Sequence, residues 1–423
     1  MLNTTQAAPV RQAIERLQWT SARGIDRIDL SERGLLDAAR CETGLEDFGD
    51  DHFLTPLRRL LAALHDEAEL NPFGERIAHG RTLGSLKNRL WARACLDAHP
   101  EIAERRLVAP IIIVGPHRSG TTRLHRLLAA DRRLAHLRTW EGMNPAPRRW
   151  IGARAAPDDV TTRRVEAVQA LAMRHRMYPE SSTMHAMHAD WPEEEMLLLN
   201  HEFVSFSALG LYDVPGYYRW FIDADKTAAY RSMAEQLKLV SWARGDADGT
   251  RWVLKNPQHM LDLPVLLATF PDAKIVFTHR DPLKTVGSML SMALHFAVQH
   301  TDRDCRTSVR DTWLDFFEQT ARRCMQWRGR IPADQQLDLH YEDMESDWRG
   351  QVRRIYHFAG LDFDAEAERS MADWLDRDAQ AARHVGHRYA LEDFGLTRAA
   401  VDERMRFVRD RYSIGYEGVR AAA

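Results

Sequence analysis

The chain has 423 residues, with 58 basic and 61 acidic side chains and a net charge of −3. At one domain per ~150 residues this allows two or three domains, or one large α/β unit with a helical addition. With 44% hydrophobic and 28% charged residues, disorder and fibrous repeats are excluded, and the near-neutral balance argues against a dedicated nucleic-acid binder.

Met1 to Arg11 is polar and interrupted by Pro9, so no leader pattern opens the sequence. The longest apolar run, Val108 to Val114, contains Pro110 and is far too short for a bilayer. The expectation is a cytoplasmic protein with no integral membrane segment. Residues 1–105 read as a helical N-terminal extension, with leucines at helical spacing in Thr55–Glu69 and again in Leu83–Ala98. Cys41, Cys95, Cys305 and Cys324 lie far apart, as expected of reduced, scattered thiols. His185 and His188, near Asp190, are the one pair with metal-like spacing, and no further signature supports them. No metal site is expected.

Residues 106–423 read as an α/β domain, with a mostly helical insertion at about 145–250 covering or lining its site. Val108–Val114 is a β-branched run of the kind buried on both faces of a parallel sheet, and Thr122–Ala130 follows as a helix. Trp252–Leu254 and Lys274–Thr278 read as further strands, with a helix over Met260–Phe270 between them. Asp338–Tyr341 is a fourth strand, and a helix runs through Ile355 and Phe358. Strand and helix in alternation predict a P-loop-type parallel sheet flanked by helices.

The strongest local signal joins the first strand to its helix: Gly115-Pro-His-Arg-Ser-Gly-Thr-Thr122. Glycine, four residues, glycine and two hydroxyls at a strand–helix junction make a nest of backbone N–H groups on a helix N-terminus, a seat for phosphate. The lysine that normally follows the second glycine and serves a triphosphate is replaced by Thr121, and the cation sits inside the loop at Arg118.

Pro116, His117, Arg118, Ser119, Gly120, Thr121 and Thr122 resemble the 5′-phosphosulfate loop of the sulfotransferases that use PAPS (3′-phosphoadenosine 5′-phosphosulfate). His279–Ser288 resembles that family's 3′-phosphate motif, with Arg280 and Ser288 at the contacting positions. Tyr341 matches the tyrosine that touches the nucleotide, and Arg383–Arg388, including His387 and Arg388, takes the place of the late basic loop. The likeness spans roughly 108–395 and is nearest to the bacterial members and the tyrosylprotein sulfotransferases. Arg123 stands where the cytosolic enzymes carry an adenine-stacking tryptophan.

The resemblance implies sulfuryl transfer from PAPS to an acceptor hydroxyl, leaving PAP, with no metal required. It implies that Arg118 and Lys255 stabilise the leaving phosphate and the transferring group. Lysine is scarce here (Lys87, Lys226, Lys238, Lys255, Lys274 and Lys284), which adds weight to Lys255 at a strand end. Glu141 is the preferred general base, with His259, His185 and Glu194 as alternatives. The acceptor is expected to be a small, hydrophobic molecule; Trp140, Trp191, Tyr212, Tyr217, Tyr218 and Trp220 are candidates for its pocket and, equally, for ordinary core aromatics. A P-loop kinase-like phosphotransferase and a PAP-binding protein without turnover remain the alternative readings.

Overall fold

Four short strands form one parallel sheet. In the computed structural model, which describes residues 6–22, 28–381 and 389–417, these are β1 (Ile111–Val114), β2 (Val253–Lys255), β3 (Lys274–His279) and β4 (Gln336–His340). Their order is β2-β1-β3-β4. Ile113 of β1 pairs with Lys255 on one side and Val276 on the other, so β1 is central and its following loop opens between both neighbours.

The sheet is apolar on both faces, as its β-branched run demands. Ile112, Val114, Leu254 and Ile275 pack against Tyr230 and Leu237 of the helix Thr227–Arg244 and against Leu266. Ile111, Ile113, Val253 and Val276 pack on the other side against Leu124, Leu128 and Ile355. Each fully buried Ile or Val here contributes about 1.5–3 kcal/mol. The fold is the expected α/β class with a P-loop-type sheet.

Element edges moved for local reasons. β1 begins at Ile111 because Ala109 has φ +40° and gives its N–H to Asp272, which turns Val108 outward. β4 ends one residue early, and Tyr341 instead opens the helix Tyr341–Ser346. The helix expected over Met260–Phe270 is split. A 3-10 turn at Pro257–Met260, capped by Asn256, precedes the helix Leu263–Thr269.

Before β1 the chain is helical, including Leu54–Asp66 and the long Pro72–Ala98. Their buried residues Leu57, Leu64 and Leu86 share one cluster with Val286, Leu290, Trp313 and Phe316 of later helices. Between β1 and β2 lie eight helices, from Thr121–Leu128 to Thr227–Arg244. No helix among the described residues is long and apolar enough to cross a membrane.

Candidate active site

The loop after β1 is a strained anion nest. Arg118 has φ +68° and Gly120 φ +87°, alternating left-handed positions that turn successive N–H groups inward. Gly120 also accepts the ring of Tyr341 so closely that a Cβ would lie 2.8 Å from its Cδ2. At Gly115 a Cβ would meet Thr278 Oγ1 at 2.0 Å. Ser119 Oγ ties the loop down, 2.7 Å from both Pro116 O and Thr278 Oγ1. Thr121 and Thr122 start the helix Thr121–Leu128, whose N-terminal dipole favours an anion.

Arg118 crosses the mouth of this nest. Its Nε donates to Ser288 Oγ at 3.1 Å and its Nη1 to Met184 O at 2.7 Å. Burial, and then the nearby Arg280 charge, lower its proton affinity below the ordinary arginine value. A cation so poor in counter-charge is prepared for an anionic ligand.

Lys255 closes β2 with its ammonium buried, 3.2 Å from Thr122 Oγ1. Its carboxylate partner is Glu194. Glu194 is the middle of three consecutive buried glutamates, each with a different cation or ring. Glu193 Oε2 is 3.0 Å from His185 Nε2, and Glu195 Oε1 is 2.6 Å from His259 Nε2 while its Oε2 accepts the Lys255 N–H at 2.9 Å. Burial pushes the Glu194 carboxyl above the usual range, against Lys255 and with help from Glu193. Glu193 and Glu195 are held below that range despite burial, by their histidine partners. Glu194 also keeps 10% of its side chain exposed, against 3% for Glu193 and none for Glu195. A carboxylate beside a cation, at a nest of N–H groups and open on one edge, can accept a proton from a bound hydroxyl.

Glu141 is elsewhere employed. Its Oε1 accepts from Arg244 Nε at 2.6 Å, its Oε2 contacts the same guanidinium, and Oε2 caps the helix Thr139–Met143 through the Arg138 N–H at 2.9 Å. Both oxygens are consumed in a buried structural link, which removes the geometric case for Glu141 as base. His259 is likewise enclosed: its Nδ1 lies 2.8 Å from Tyr230 Oη, its Nε2 on Glu195, and it has no exposed surface. The His117 side chain turns away from the nest into an aromatic cage of Phe206, Trp313, Phe316 and Phe317. There its Nε2 has no hydrogen-bond partner among the described residues and burial brings its pKa down to about 3, so only its backbone can serve a phosphate. His185 and His188 point to different carboxylates, Glu193 and Asp190.

The aromatic residues expected around an acceptor do not gather. Tyr212, Tyr217 and Tyr218 belong to the large core cluster, with Trp220 packed on it, while Trp140 packs on Ala167 and Ala189. Trp191 is 40% exposed beneath the Arg126 guanidinium.

Arg280 leaves the end of β3 and lies over the Tyr341 ring at 3.9 Å. Its Nη1 donates to Arg118 O at 2.8 Å, so the loop after β1 and the segment after β3 meet here. The other edge of the guanidinium is clamped by Glu417, Nε to Oε2 at 2.8 Å and Nη2 to Oε1 at 2.7 Å. Burial would lower Arg280, but the Glu417 hydrogen bonds and nearby tyrosines hold it above its ordinary value. Beside the nest a small cleft is lined by Gly120, Leu124, Tyr341, Met344 and Trp348. Arg123 and Glu345, which also line it, are ion-paired to each other. His387 and Arg388 lie outside the described residues.

Two features lie beyond the sequence analysis, which names Glu194 only as an alternative base: the Glu193–Glu195 run as a buried counter-charge, and Glu417. The signal for the first was the step from three carboxylates straight into the apolar Met196–Leu199, which is unusual for a solvated charge run. Glu417 carries no local signal.

Comparisons with known proteins converge. A family profile described as the sulfotransferase family matches residues 110–365, more than half of the chain. The omega-hydroxy-beta-dihydromenaquinone-9 sulfotransferase Stf3 of Mycobacterium bovis is 27% identical over 349 residues, covering 77% of this chain and 81% of that protein. The crystal structure of the sulfotransferase STF1 from Mycobacterium tuberculosis superposes with a TM-score of 0.77 at 30% identity, over 89% of this chain and 99% of that one. The sulfotransferase STF9 from Mycobacterium avium gives 0.78 at 26% identity, over 92% and 99%.

Proposed function

Because the chain belongs to the sulfotransferase family and its chemistry is sulfuryl transfer, we propose that its donor is PAPS and its acceptor a lipophilic alcohol or phenol. The observation that carries this reading is the meeting of the Arg118 nest, the Lys255–Glu194 pair and Arg280 around one loop. In it the 5′-phosphosulfate takes the N–H groups of residues 118–122, and the 3′-phosphate takes Arg280 and Ser288. The adenine takes the cleft beside Tyr341 and Trp348. Protein cations here do the work that a metal does in ordinary P-loop enzymes.

In the reaction, Glu194 accepts the acceptor's hydroxyl proton as the new O–S bond forms. The bond from sulfur to the bridging oxygen breaks, and the electron pair leaves on the phosphate of PAP, where Arg118 and Lys255 offset the charge. Lys255 keeps Glu194 ionised until the acceptor arrives and then shares its hydrogen bonds with the transferring group. Glu194 replaces Glu141 in this role because its carboxylate borders the nest and keeps an open edge.

A lipophilic acceptor is supported by the acceptor named for the Mycobacterium bovis relative, a menaquinone derivative. It is also supported by surface chemistry. Of the eight large apolar side chains exposed among the described residues, five (Ile151, Val165, Val168, Met173 and Trp191) fall within residues 151–191. That segment leads directly into the glutamate run.

The test is a mass-spectrometric screen for sulfated products, with PAPS and a mixed library of alcohols and phenols in magnesium-free buffer. The expected result is a sulfated apolar alcohol or phenol. In parallel, PAP at a hundredfold excess over its Kd should stabilise the fold by about 2.7 kcal/mol, seen as a rise in Tm. A rise that requires magnesium and ATP, with PAP inert, would instead make the protein a kinase-like phosphotransferase.

A further inference from the structure

Beyond the helix Arg398–Tyr412 the chain reverses at Ser413, whose φ is +53°, and returns over the end of β3. The return is built rather than loose. Arg409 Nη1 donates to Ile414 O at 3.0 Å and Gly415 O at 2.8 Å, and its guanidinium lies 3.8 Å from the Tyr416 ring. Tyr416 Oη donates to Asp402 Oδ2 at 2.7 Å. The Glu417 N–H donates to Asp281 Oδ2 at 2.9 Å, while Arg409 Nη2 holds Asp281 Oδ1 at 2.8 Å. The product of this bracing is one contact: the Glu417 carboxylate lies fork-to-fork on Arg280, at 2.8 and 2.7 Å.

A carboxylate fork on a guanidinium presents the oxygen pair, spacing and charge that a phosphate monoester would present. We propose that Glu417 is an internal competitor for the 3′-phosphate seat on Arg280, and so sets how strongly the protein holds 3′-phosphorylated nucleotides. This rests on the donor reading above. Arg280 cannot keep both partners on the same edge: its Nη1 is already committed to Arg118 O, and Tyr341 covers a face. A 3′-phosphate must therefore displace the carboxylate on entering. When the spent nucleotide leaves, the carboxylate returns and restores the ion pair, so departure does not strand a buried cation. A nucleotide without the 3′-phosphate leaves the pair undisturbed. Glu417 therefore weakens PAP and PAPS selectively and speeds the release of PAP.

The experiment compares PAP with adenosine 5′-phosphate, by calorimetry and by stopped-flow dissociation, on the full chain and on Glu417→Gln. Glu417 is partly exposed and its amide isostere fits the same space, so the fold should persist. The expected result is about tenfold tighter PAP with slower dissociation and unchanged adenosine 5′-phosphate, the size of a charge-assisted contact next to solvent. Tyr416→Phe, which loosens the arm but keeps the carboxylate, should shift PAP the same way by a smaller factor. PAP binding that is unchanged or weaker in Glu417→Gln, while the unaltered protein still prefers PAP, overturns the inference alone. An unaltered protein that does not prefer PAP over adenosine 5′-phosphate overturns the donor reading and takes this inference with it.

Discussion

Glu193, Glu194 and Glu195 share burial and neighbourhood, yet only the middle carboxyl is raised; its flanking partners are lowered by His185 and His259. The difference has a kinetic signature. A base must be ionised to act, so kcat/KM should fall as pH drops through the Glu194 value, with an acid limb above the ordinary 4.5 of a glutamate. Glu194→Gln should remove that limb and lower turnover by roughly 10²–10⁴, with a smaller loss for nitrophenols, which need less help losing a proton. Lys255→Ala should lose rate with nitrophenols too, because its charge serves the leaving side. A Glu194→Gln enzyme that turns over aliphatic alcohols normally would end the assignment. Much of the nest was legible from sequence because its shape is a matter of local backbone geometry: Gly115, Arg118, Gly120 and Thr122 are neighbours in the chain. The proposed base was legible only as an alternative to Glu141, because what singles out Glu194 is its pairing with Lys255, distant in sequence, and a run of glutamates read alone describes a solvated surface.

The helices Thr139–Met143 and Thr227–Arg244 meet through the Glu141–Arg244 pair, and Arg244 Nη2 also donates to His136 O at 2.7 Å. This anchors the C-terminal end of one helix on the N-terminal end of the other, where opposite dipole ends favour the charges they receive. Removing one member of a buried pair leaves the other uncompensated, at about 3–5 kcal/mol. Glu141→Gln should therefore lower the urea midpoint strongly while turnover per folded molecule stays within a few-fold. Lost turnover at unchanged stability would return Glu141 to the chemistry. Elements were legible where the pattern is strictly local, as in β1 and β3. The first half of Pro72–Ala98 was not, because Pro72, Gly74, Gly80 and Gly84 look like breakers. Pro72 in fact opens the helix behind the Asn71 cap, and Gly74 lets the His300 carbonyl approach to a distance where a Cβ would sit at 2.3 Å.

Across the molecule, histidine burial predicts sensitivity to mild acid. His117 and His125 are brought down to about 3, and His136, His201 and His300 to about 4, all mainly by burial. Below their unfolded value of 6.5 the unfolded chain binds these protons first, so stability falls as pH falls. At pH 5 each of the five gives up about 2 kcal/mol, large beside an ordinary total of about 5–15 kcal/mol. Buried carboxyls that are raised, such as Asp213 and Asp246, work in the opposite direction, but the histidines are displaced much further. Urea titrations should give a markedly lower midpoint at pH 5 than at pH 7.5; equal midpoints would show that these rings take up protons without unfolding.

The central place of β1 has a cost during synthesis. Ile111 has Val253 and Lys274 as its sheet partners, so this strand leaves the ribosome roughly 140 residues before either neighbour exists. At about 5–20 residues per second the wait is roughly 7–28 s. Throughout it, Ile-Ile-Ile-Val is an unpaired, uncharged β-forming segment with both edges open, the kind that pairs with other chains when left alone. Soluble yield should then depend on translation speed and on chaperones that hold nascent chains. The strand that carries the nest loop at the centre of the finished sheet is a part of the newborn chain in need of protection.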